Sequence, residues 1–140
     1  MSALVWGVKA SLLDYVRGMP DGAVELDGPR ESPDGFVFAA ADGPEDGIRR
    51  FKGSVTLTGH SGMMRVVIAD PWIAVRPGEL SIADPDTPGV RLPFARMEAL
   101  EADAGGVLHA RGTTLTADGA DLFFGPYREG TPLDDPVMLP

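Results

Sequence analysis

Few side chains in this sequence are suited to chemistry. The 140 residues contain two histidines, His60 and His109, and no cysteine. Without cysteine the chain has no disulfide, thiolate nucleophile, zinc–thiolate site or iron–sulfur cluster. The sequence also has no Gly-x-Ser-x-Gly elbow, no glycine-rich phosphate loop and no closely spaced histidine pair. A hydrolytic triad, a nucleotide site and a two-histidine metal site are therefore all poorly supported.

Tyr15 is the most notable of the remaining polar residues. It lies in a segment whose apolar residues recur at spacings of three and four, with Ser11 one helical turn before it. The helix alone favours a buried core tyrosine over a ligand. His60 stands in a Gly-His-Ser-Gly stretch and is most simply a residue at the tip of a hairpin. His109 is most simply a strand residue.

Other candidate groups have plain structural interpretations. Met63 and Met64 are consecutive in a predicted strand, so they should point to opposite faces, and at most one should line a pocket. Two pairs of carboxylates are best interpreted as solvated turn residues, since aspartate favours turns. These pairs are Asp84 with Asp86 and Asp134 with Asp135.

A helix should present Tyr15. The apolar spacing predicts a helix over about residues 3–17, with Ser2 as its N-cap and with Gly18 and Pro20 as its end. The apolar residues of this stripe are Leu4, Val5, Val8, Leu12, Val16 and Met19.

After this helix the period of the pattern changes to two, which is typical of strands. Predicted strands cover residues 23–26, 36–38, 51–58, 63–69, 72–75, 79–82, 90–100, 106–110 and 113–116. Hairpin turns are expected at 59–62 and 76–78, a loop at 42–47, a break at Asp70–Pro71, a short capped helix at 116–123 and a turn-rich tail at 127–140. The sequence thus predicts a single domain over residues 1–140. It is mainly β, with sandwich or barrel-like antiparallel sheets, an N-terminal helix and a short helix near the C-terminus.

The charge and the hydropathy of the sequence limit the classes of partner that the chain is expected to bind. The formal net charge of −9 repels phosphate backbones and anionic lipid, so nucleic acid is not expected as a partner. No stretch approaches the length of a membrane span, and no basic region followed by a long apolar run opens the chain. The chain as written is expected in the cytoplasm, or outside the cell if it is a trimmed piece of an exported protein.

Five stretches of the sequence form an ordered set of motifs. They are Trp6–Val16, with a Trp, a Val-Lys-x-Ser stretch and a Tyr; Gly35–Phe38; Phe51–Gly62, with Gly-His-x-Gly; Asp70–Pro71; and Phe123–Asp134, with Tyr-x-x-Gly-x-x-Leu-Asp. Together they resemble the HtaA-type haem-binding domains of actinobacteria. Each stretch is a weak signal alone, but their order and spacing are specific. The resemblance runs from about Trp6 to Leu139.

The resemblance implies a mainly β domain that takes up haem, iron protoporphyrin IX, during iron acquisition. It implies that Tyr15 is the axial ligand of the iron, that His60 supports this tyrosine from the hairpin, and that Ser11 lies near a haem propionate. Some family members also use a methionine, which the motifs do not locate here. The aromatic residues that the resemblance implies at the pocket are Tyr127, Phe123 and Phe124.

Three functions follow as alternatives. The first is a non-enzymatic module that captures, stores or transfers ferric haem, with a haem donor or acceptor protein as partner and with room for a homodimer at an exposed haem edge. The second is a β-sandwich interaction module of the same fold without haem, in which Tyr15 is a core residue and His60 a turn residue. The third is a haem-dependent enzyme, which is disfavoured because no second histidine or arginine is evident for distal acid–base work.

Overall fold

Strands dominate the structure, a computed structural model that describes residues 2–123, 125 and 127–140. The helices are α1 (Ala10–Gly18), α2 (Ala117–Asp121) and a single 3-10 turn at His60–Gly62. The strands are β1 (Ala3–Trp6), β2 (Ala23–Asp27), β3 (Arg30–Ser32), β4 (Gly35–Ala40), β5 (Ile48–Lys52), β6 (Ser54–Gly59), β7 (Met64–Ala69), β8 (Trp72–Ala74), β9 (Glu79–Ala83), β10 (Arg91–Arg96), β11 (Ala99–Ala102), β12 (Leu108–Arg111), β13 (Thr114–Leu115) and β14 (Val137–Leu139). The predicted mainly β class, with a helix near each end, is confirmed.

The described strands form two antiparallel sheets. The larger sheet has the order β11-β12-β14-β1-β4-β5-β8-β9-β10-β13, with β3 beside β4, and the smaller has the order β2-β6-β7. The chain passes from the larger to the smaller sheet at Gly53. The φ angle of Gly53 is +109°, a value that residues other than glycine rarely adopt. The single strand predicted over residues 51–58 is therefore two strands in different sheets.

The first segment of the chain is a strand, where a helix was predicted. Leu4 and Trp6 are fully buried and alternate with half-buried Ala3 and Val5, the pattern of a strand with one face in the core. β1 pairs with β4 on one side and with β14 on the other. The helix start at residue 3 and the N-cap at Ser2 were therefore wrong. Over a segment this short, apolar residues spaced by three and four cannot be told from an alternating strand pattern. Pairing with distant strands therefore decides whether the segment is a helix or a strand.

α1 begins later, at Ala10, and ends at Gly18 as predicted. Its buried side chains are Leu12, Leu13 and Val16, and it contacts β2 and β6 of the smaller sheet. Burying each of these side chains contributes about 1.5–3 kcal/mol. This packing fixes α1 against the strand that leads into the 59–62 hairpin.

Aromatic side chains in the core of the larger sheet contact aromatic residues near the C-terminus. Trp6 packs edge to face on Phe94 with ring centroids 6.0 Å apart, and Phe94 lies 6.2 Å from Phe123. α2 is the predicted short capped helix, because the Thr116 hydroxyl accepts a hydrogen bond from the Gly119 N–H at 2.8 Å. α2 ends at Asp121, so its position determines where Phe123 lies two residues later.

The predicted hairpins join β6 to β7 and β8 to β9. Neither α1 nor α2 is long and apolar enough to cross a membrane, and the same holds for every helix among the described residues.

Candidate functional site

A largely apolar cavity of about 760 Å³ opens between α1, the tip of the β6–β7 hairpin and the segment that follows α2. Its volume lies within the range of about 300–1,000 Å³ typical of small-molecule and cofactor pockets. The cavity is lined by Ser11, Leu12, Tyr15, His60, Met63, Met64, Val66, Phe123, Gly125 and Tyr127. The structure thus brings Ser11, Tyr15, His60, Phe123 and Tyr127 together, as five of the six residues expected at the site; the sixth, Phe124, lies outside the described residues.

Tyr15 and His60 form the polar pair of the cavity. The Tyr15 hydroxyl oxygen lies 2.6 Å from Nε2 of His60, which is hydrogen-bond distance. The Tyr15 side chain is 52% exposed, so the core tyrosine favoured by the helix pattern was wrong. The buried face of α1 passes through Leu12 and Val16, and Tyr15 lies beside this face.

The tip of the hairpin presents His60 through an unusual backbone. His60, Ser61 and Gly62 have φ values of +51°, +57° and +86°, which is three left-handed residues in succession. For residues other than glycine this conformation costs about 1–3 kcal/mol each, so other contacts must hold it. The Asp21 carboxylate accepts a hydrogen bond from the Ser61 N–H at 2.5 Å, and the Met63 N–H donates to the His60 carbonyl at 3.1 Å.

The closing segment of the chain caps the helix that carries Tyr15. The Asp134 carboxylate accepts a hydrogen bond from the Ala10 N–H at 3.1 Å, and the Asp134 carbonyl accepts one from the Trp6 indole at 2.8 Å. The Asp135 carboxylate accepts one from the Thr113 N–H at 3.0 Å. The interpretation of this carboxylate pair as merely solvated was therefore wrong, because both side chains bond to distant backbone.

Tyr127 and Phe123 form the wall of the cavity opposite α1. Their rings pack edge to face with centroids 5.1 Å apart, and the Lys9 ammonium lies 5.8 Å from the centre of the Tyr127 ring. Lys9 also donates a hydrogen bond to the Pro132 carbonyl at 2.9 Å. Burial, with a smaller contribution from Tyr15, raises the pKa of Tyr127, so its hydroxyl stays protonated and able to donate.

Both adjacent methionines line the cavity, so the expectation of at most one was wrong. Met63 precedes β7 and has helical backbone angles, φ −74° and ψ −25°, instead of a strand conformation. The alternation rule therefore does not apply between it and Met64. The Met63 side chain is 79% exposed.

The remaining candidates lie outside the lining of the cavity. His109 lies 3.0 Å from the Asp103 carboxylate, and this hydrogen bond lowers the pKa of Asp103. Asp84 accepts a hydrogen bond from the Asp86 N–H at 2.9 Å, as expected of a turn residue. Among the described residues, no group of three or more histidine, cysteine, aspartate or glutamate side chains is placed to hold a metal ion.

Two contributions were missed at the level of sequence. Val66 forms apolar lining, and the apolar alternation of its strand indicated burial but not a place beside Tyr15. Asp21 lies in the turn after α1, where an aspartate before a glycine signals only a turn. Its bond to Ser61, 40 positions away, left no signal in the sequence.

Comparison with known proteins places the chain in one family. The family model for HtaA, described as Htaa, matches residues 1–138. A crystal structure of the C-terminal domain of HtaA from Corynebacterium glutamicum is similar, with a TM-score of 0.73 and 27% identity, covering 98% of this chain and 93% of that one. A domain-swapped dimer of a histidine-to-alanine variant of the same domain also matches, with a TM-score of 0.63 and 27% identity over 96% of this chain and 91% of that one.

None of the curated proteins matches the chain. The family match extends over almost the whole sequence and agrees with the fold of the solved domains. The chain therefore belongs to the HtaA family, which is associated with haem binding and acquisition.

Proposed function

We propose that this chain binds ferric haem, with the Tyr15 phenolate as the axial ligand of the iron, and that it captures, stores or transfers haem without catalysing a reaction. The observation that supports this proposal most strongly is the Tyr15–His60 hydrogen bond of 2.6 Å at an apolar cavity. A half-exposed phenol beside an imidazole can offer its oxygen to a bound metal, whereas a core tyrosine cannot.

The residues present fit this group. Haem supplies a ferric iron that accepts an axial oxygen donor, and tyrosine is one of its known axial ligands. The cavity offers apolar walls for the porphyrin, including Leu12, Val66 and Phe123. Burial of the porphyrin faces against them contributes about 25 cal/mol per Å² of apolar surface.

His60 has a definite role in this proposal. With the proton on Nε2, its imidazole donates a hydrogen bond to the Tyr15 oxygen, which favours the phenolate over the phenol. The same bond fixes the direction of the phenol ring, as outer hydrogen-bond partners do for metal ligands. The tip of the hairpin would therefore hold the Tyr15 oxygen in the charge state and direction that a ferric iron needs from its ligand.

The propionates would meet local donors at the rim of the cavity. Ser11 is exposed on the first turn of α1, and Tyr127 keeps its hydroxyl proton. Lys9 lies beside Tyr127 and brings a positive charge to this side. These donors matter because the net charge of −9 makes the chain as a whole unattractive to carboxylates.

The chemistry of the ligand suits capture and hand-over. Phenolate is a hard, anionic donor that would stabilise ferric over ferrous iron, which suits a protein that holds oxidised haem. A haem donor or acceptor protein is therefore proposed as a partner. The exposure of Tyr15 and Met63 leaves the mouth of the cavity accessible to such a protein.

A second copy of the chain is also a proposed partner. A histidine variant of a homologous domain forms a domain-swapped dimer. In this chain the left-handed residues 60–62 join β6 to β7, and straightening them would let the two halves of the hairpin separate. Such strained hinges favour the exchange of identical elements between copies.

A hemin titration followed in the Soret and visible regions tests the proposed ligand. Wild type should give a tyrosinate-type spectrum, and Tyr15→Phe should lose it while keeping its far-ultraviolet circular dichroism. Tyr127→Phe is the matched control and should keep the tyrosinate spectrum. An unchanged spectrum in folded Tyr15→Phe would reject Tyr15 as the ligand.

A further inference from the structure

We infer that Asp21 is a positioning residue, whose carboxylate holds the tip of the β6–β7 hairpin so that the His60 imidazole meets the Tyr15 oxygen. This inference rests on the proposed haem function and assigns a role to a residue outside the cavity. It starts from the hydrogen bond that Ser61, next to His60, donates to Asp21.

The backbone at the tip needs an external anchor. His60 and Ser61 are both left-handed without being glycine, at φ +51° and +57°. The bond from the Met63 N–H to the His60 carbonyl closes the turn but does not fix the turn relative to α1. Among the described contacts, the hydrogen bonds that tie the tip to the α1 side are the Tyr15–His60 pair and the Asp21–Ser61 pair.

Asp21 is itself held in a well-packed turn. The Gly22 N–H donates to the Met19 carbonyl at 3.1 Å. A Cβ at Gly22 would overlap the Val16 carbonyl oxygen, so a side chain there would clash with backbone. A Cβ at Gly59 would meet the end of the Met19 side chain and lie 3.9 Å from Cα of Gly22, so the start of the tip is in contact with the turn that follows α1. The turn that carries the Asp21 carboxylate is therefore held in place relative to the tip.

The two anchors have different relations to the ligand. The Tyr15–His60 bond involves the oxygen that the proposed metal would share, so its strength changes when the ligand binds or leaves. Neither Asp21 nor Ser61 lines the cavity, so their hydrogen bond shares no atom with the proposed metal. Asp21 therefore keeps the His60 imidazole in position beside Tyr15 while the ligand binds or leaves.

The test compares Asp21→Ala with Asp21→Asn, whose amide oxygen can still accept the Ser61 N–H. Asp14→Ala is the matched control, because Asp14 is an exposed carboxylate next to Tyr15 and its loss changes the charge equally. Each variant is titrated with hemin, alone and combined with His60→Ala. The apo-proteins are also compared by ¹H–¹⁵N correlation of the imidazole nitrogens, with His109 as the internal reference for a folded chain.

Asp21→Ala should weaken hemin binding about tenfold, the order of one lost hydrogen bond to a charged acceptor, while keeping the tyrosinate spectrum. Asp21→Asn and Asp14→Ala should stay within about twofold of wild type. In the His60→Ala background, Asp21→Ala should have no further effect, because interacting residues are not additive. In the apo-protein, Asp21→Ala should move the His60 resonances and leave those of His109 in place.

The inference is overturned if Asp21→Ala weakens binding equally with and without His60, or if Asp14→Ala weakens it as much. It is also overturned if the His60 resonances of apo Asp21→Ala match wild type. A failure of the proposed function is distinct, because it would appear as wild type that gives no tyrosinate spectrum while the apo resonances still respond to Asp21.

Discussion

The hydroxyl oxygen of Tyr15 lies 2.6 Å from Nε2 of His60, although the two residues are 45 positions apart in sequence. One stands on a helix and the other at the tip of a hairpin in the smaller sheet. Neither element could set this distance alone. The pair therefore exists only when α1 has packed on the strands that lead to the hairpin.

Removal of the imidazole should weaken binding without changing the ligand. His60→Ala is expected to lower hemin affinity about 10- to 100-fold, the usual effect of losing an outer partner of a metal ligand. The tyrosinate bands should remain, because Tyr15 is intact. His109→Ala, which removes the other histidine, is the control and should bind as wild type. Equal losses in the two variants would contradict the role given to His60.

Hemin affinity should rise with pH across the neutral range. Binding converts the Tyr15 phenol to phenolate and releases one proton, so higher pH favours the bound form by up to about tenfold per pH unit. The raised pKa of Tyr127 keeps that hydroxyl protonated over the same range, so it should not contribute to the slope. Dissociation constants measured at several pH values check this, and Tyr15→Phe should lose the dependence. A slope of the opposite sign would count against phenolate ligation.

Ser11 should act on the propionates and not on the iron. Ser11→Ala is expected to weaken hemin binding by about three- to tenfold, the effect of one lost hydrogen bond, with an unchanged visible spectrum. Haem dimethyl ester, in which both propionates are esterified, is the discriminating probe. The loss of affinity caused by Ser11→Ala should be smaller for the ester than for hemin, because a neutral ester carbonyl is a weaker acceptor than a carboxylate. A similar loss for hemin and the ester would place the effect of Ser11 elsewhere.

Asp134 should stabilise the fold by capping α1 from the far end of the chain. Asp134→Ala is expected to lower the free energy of unfolding by about 0.5–2 kcal/mol, the usual effect of losing a helix cap. Urea denaturation measures this change. Asp86→Ala, at an exposed turn position, is the control and should change stability by less than about 0.5 kcal/mol. Equal stability of the Asp134 variant and wild type would show that the contact with Ala10 contributes nothing.

Local patterns predicted much of the fold. Alternating apolar residues and glycine-rich turns indicated the antiparallel hairpins, and the hairpin around His60 formed where Gly59 and Gly62 signalled it. The helix end at Gly18 and the cap at Thr116 were also confirmed, because their causes lie within a few residues. These features depend on backbone preferences that a short stretch of sequence contains.

Features that depend on distant partners were not predictable in the same way. The segment at Leu4 and Trp6 is a strand because β4 and β14 flank it, and its own spacing is ambiguous. Asp134 was interpreted as a turn residue because nothing near it indicates Ala10 as its partner. The position of Tyr15 beside His60 was anticipated from the family resemblance, since the helix pattern alone favoured burial.

β1 and β14 are neighbouring strands of the larger sheet. Ala3 is paired with Leu139 in adjacent antiparallel strands. A short glycine-rich link can therefore join them in the manner of an ordinary hairpin, and new ends can be opened in the exposed turn at residues 85–89. In such a circular permutant, the segment after α2 would precede α1, with β14, the link and β1 between them. The three parts that surround the cavity would then follow one another along the chain, in the order of the segment after α2, α1 and the β6–β7 hairpin.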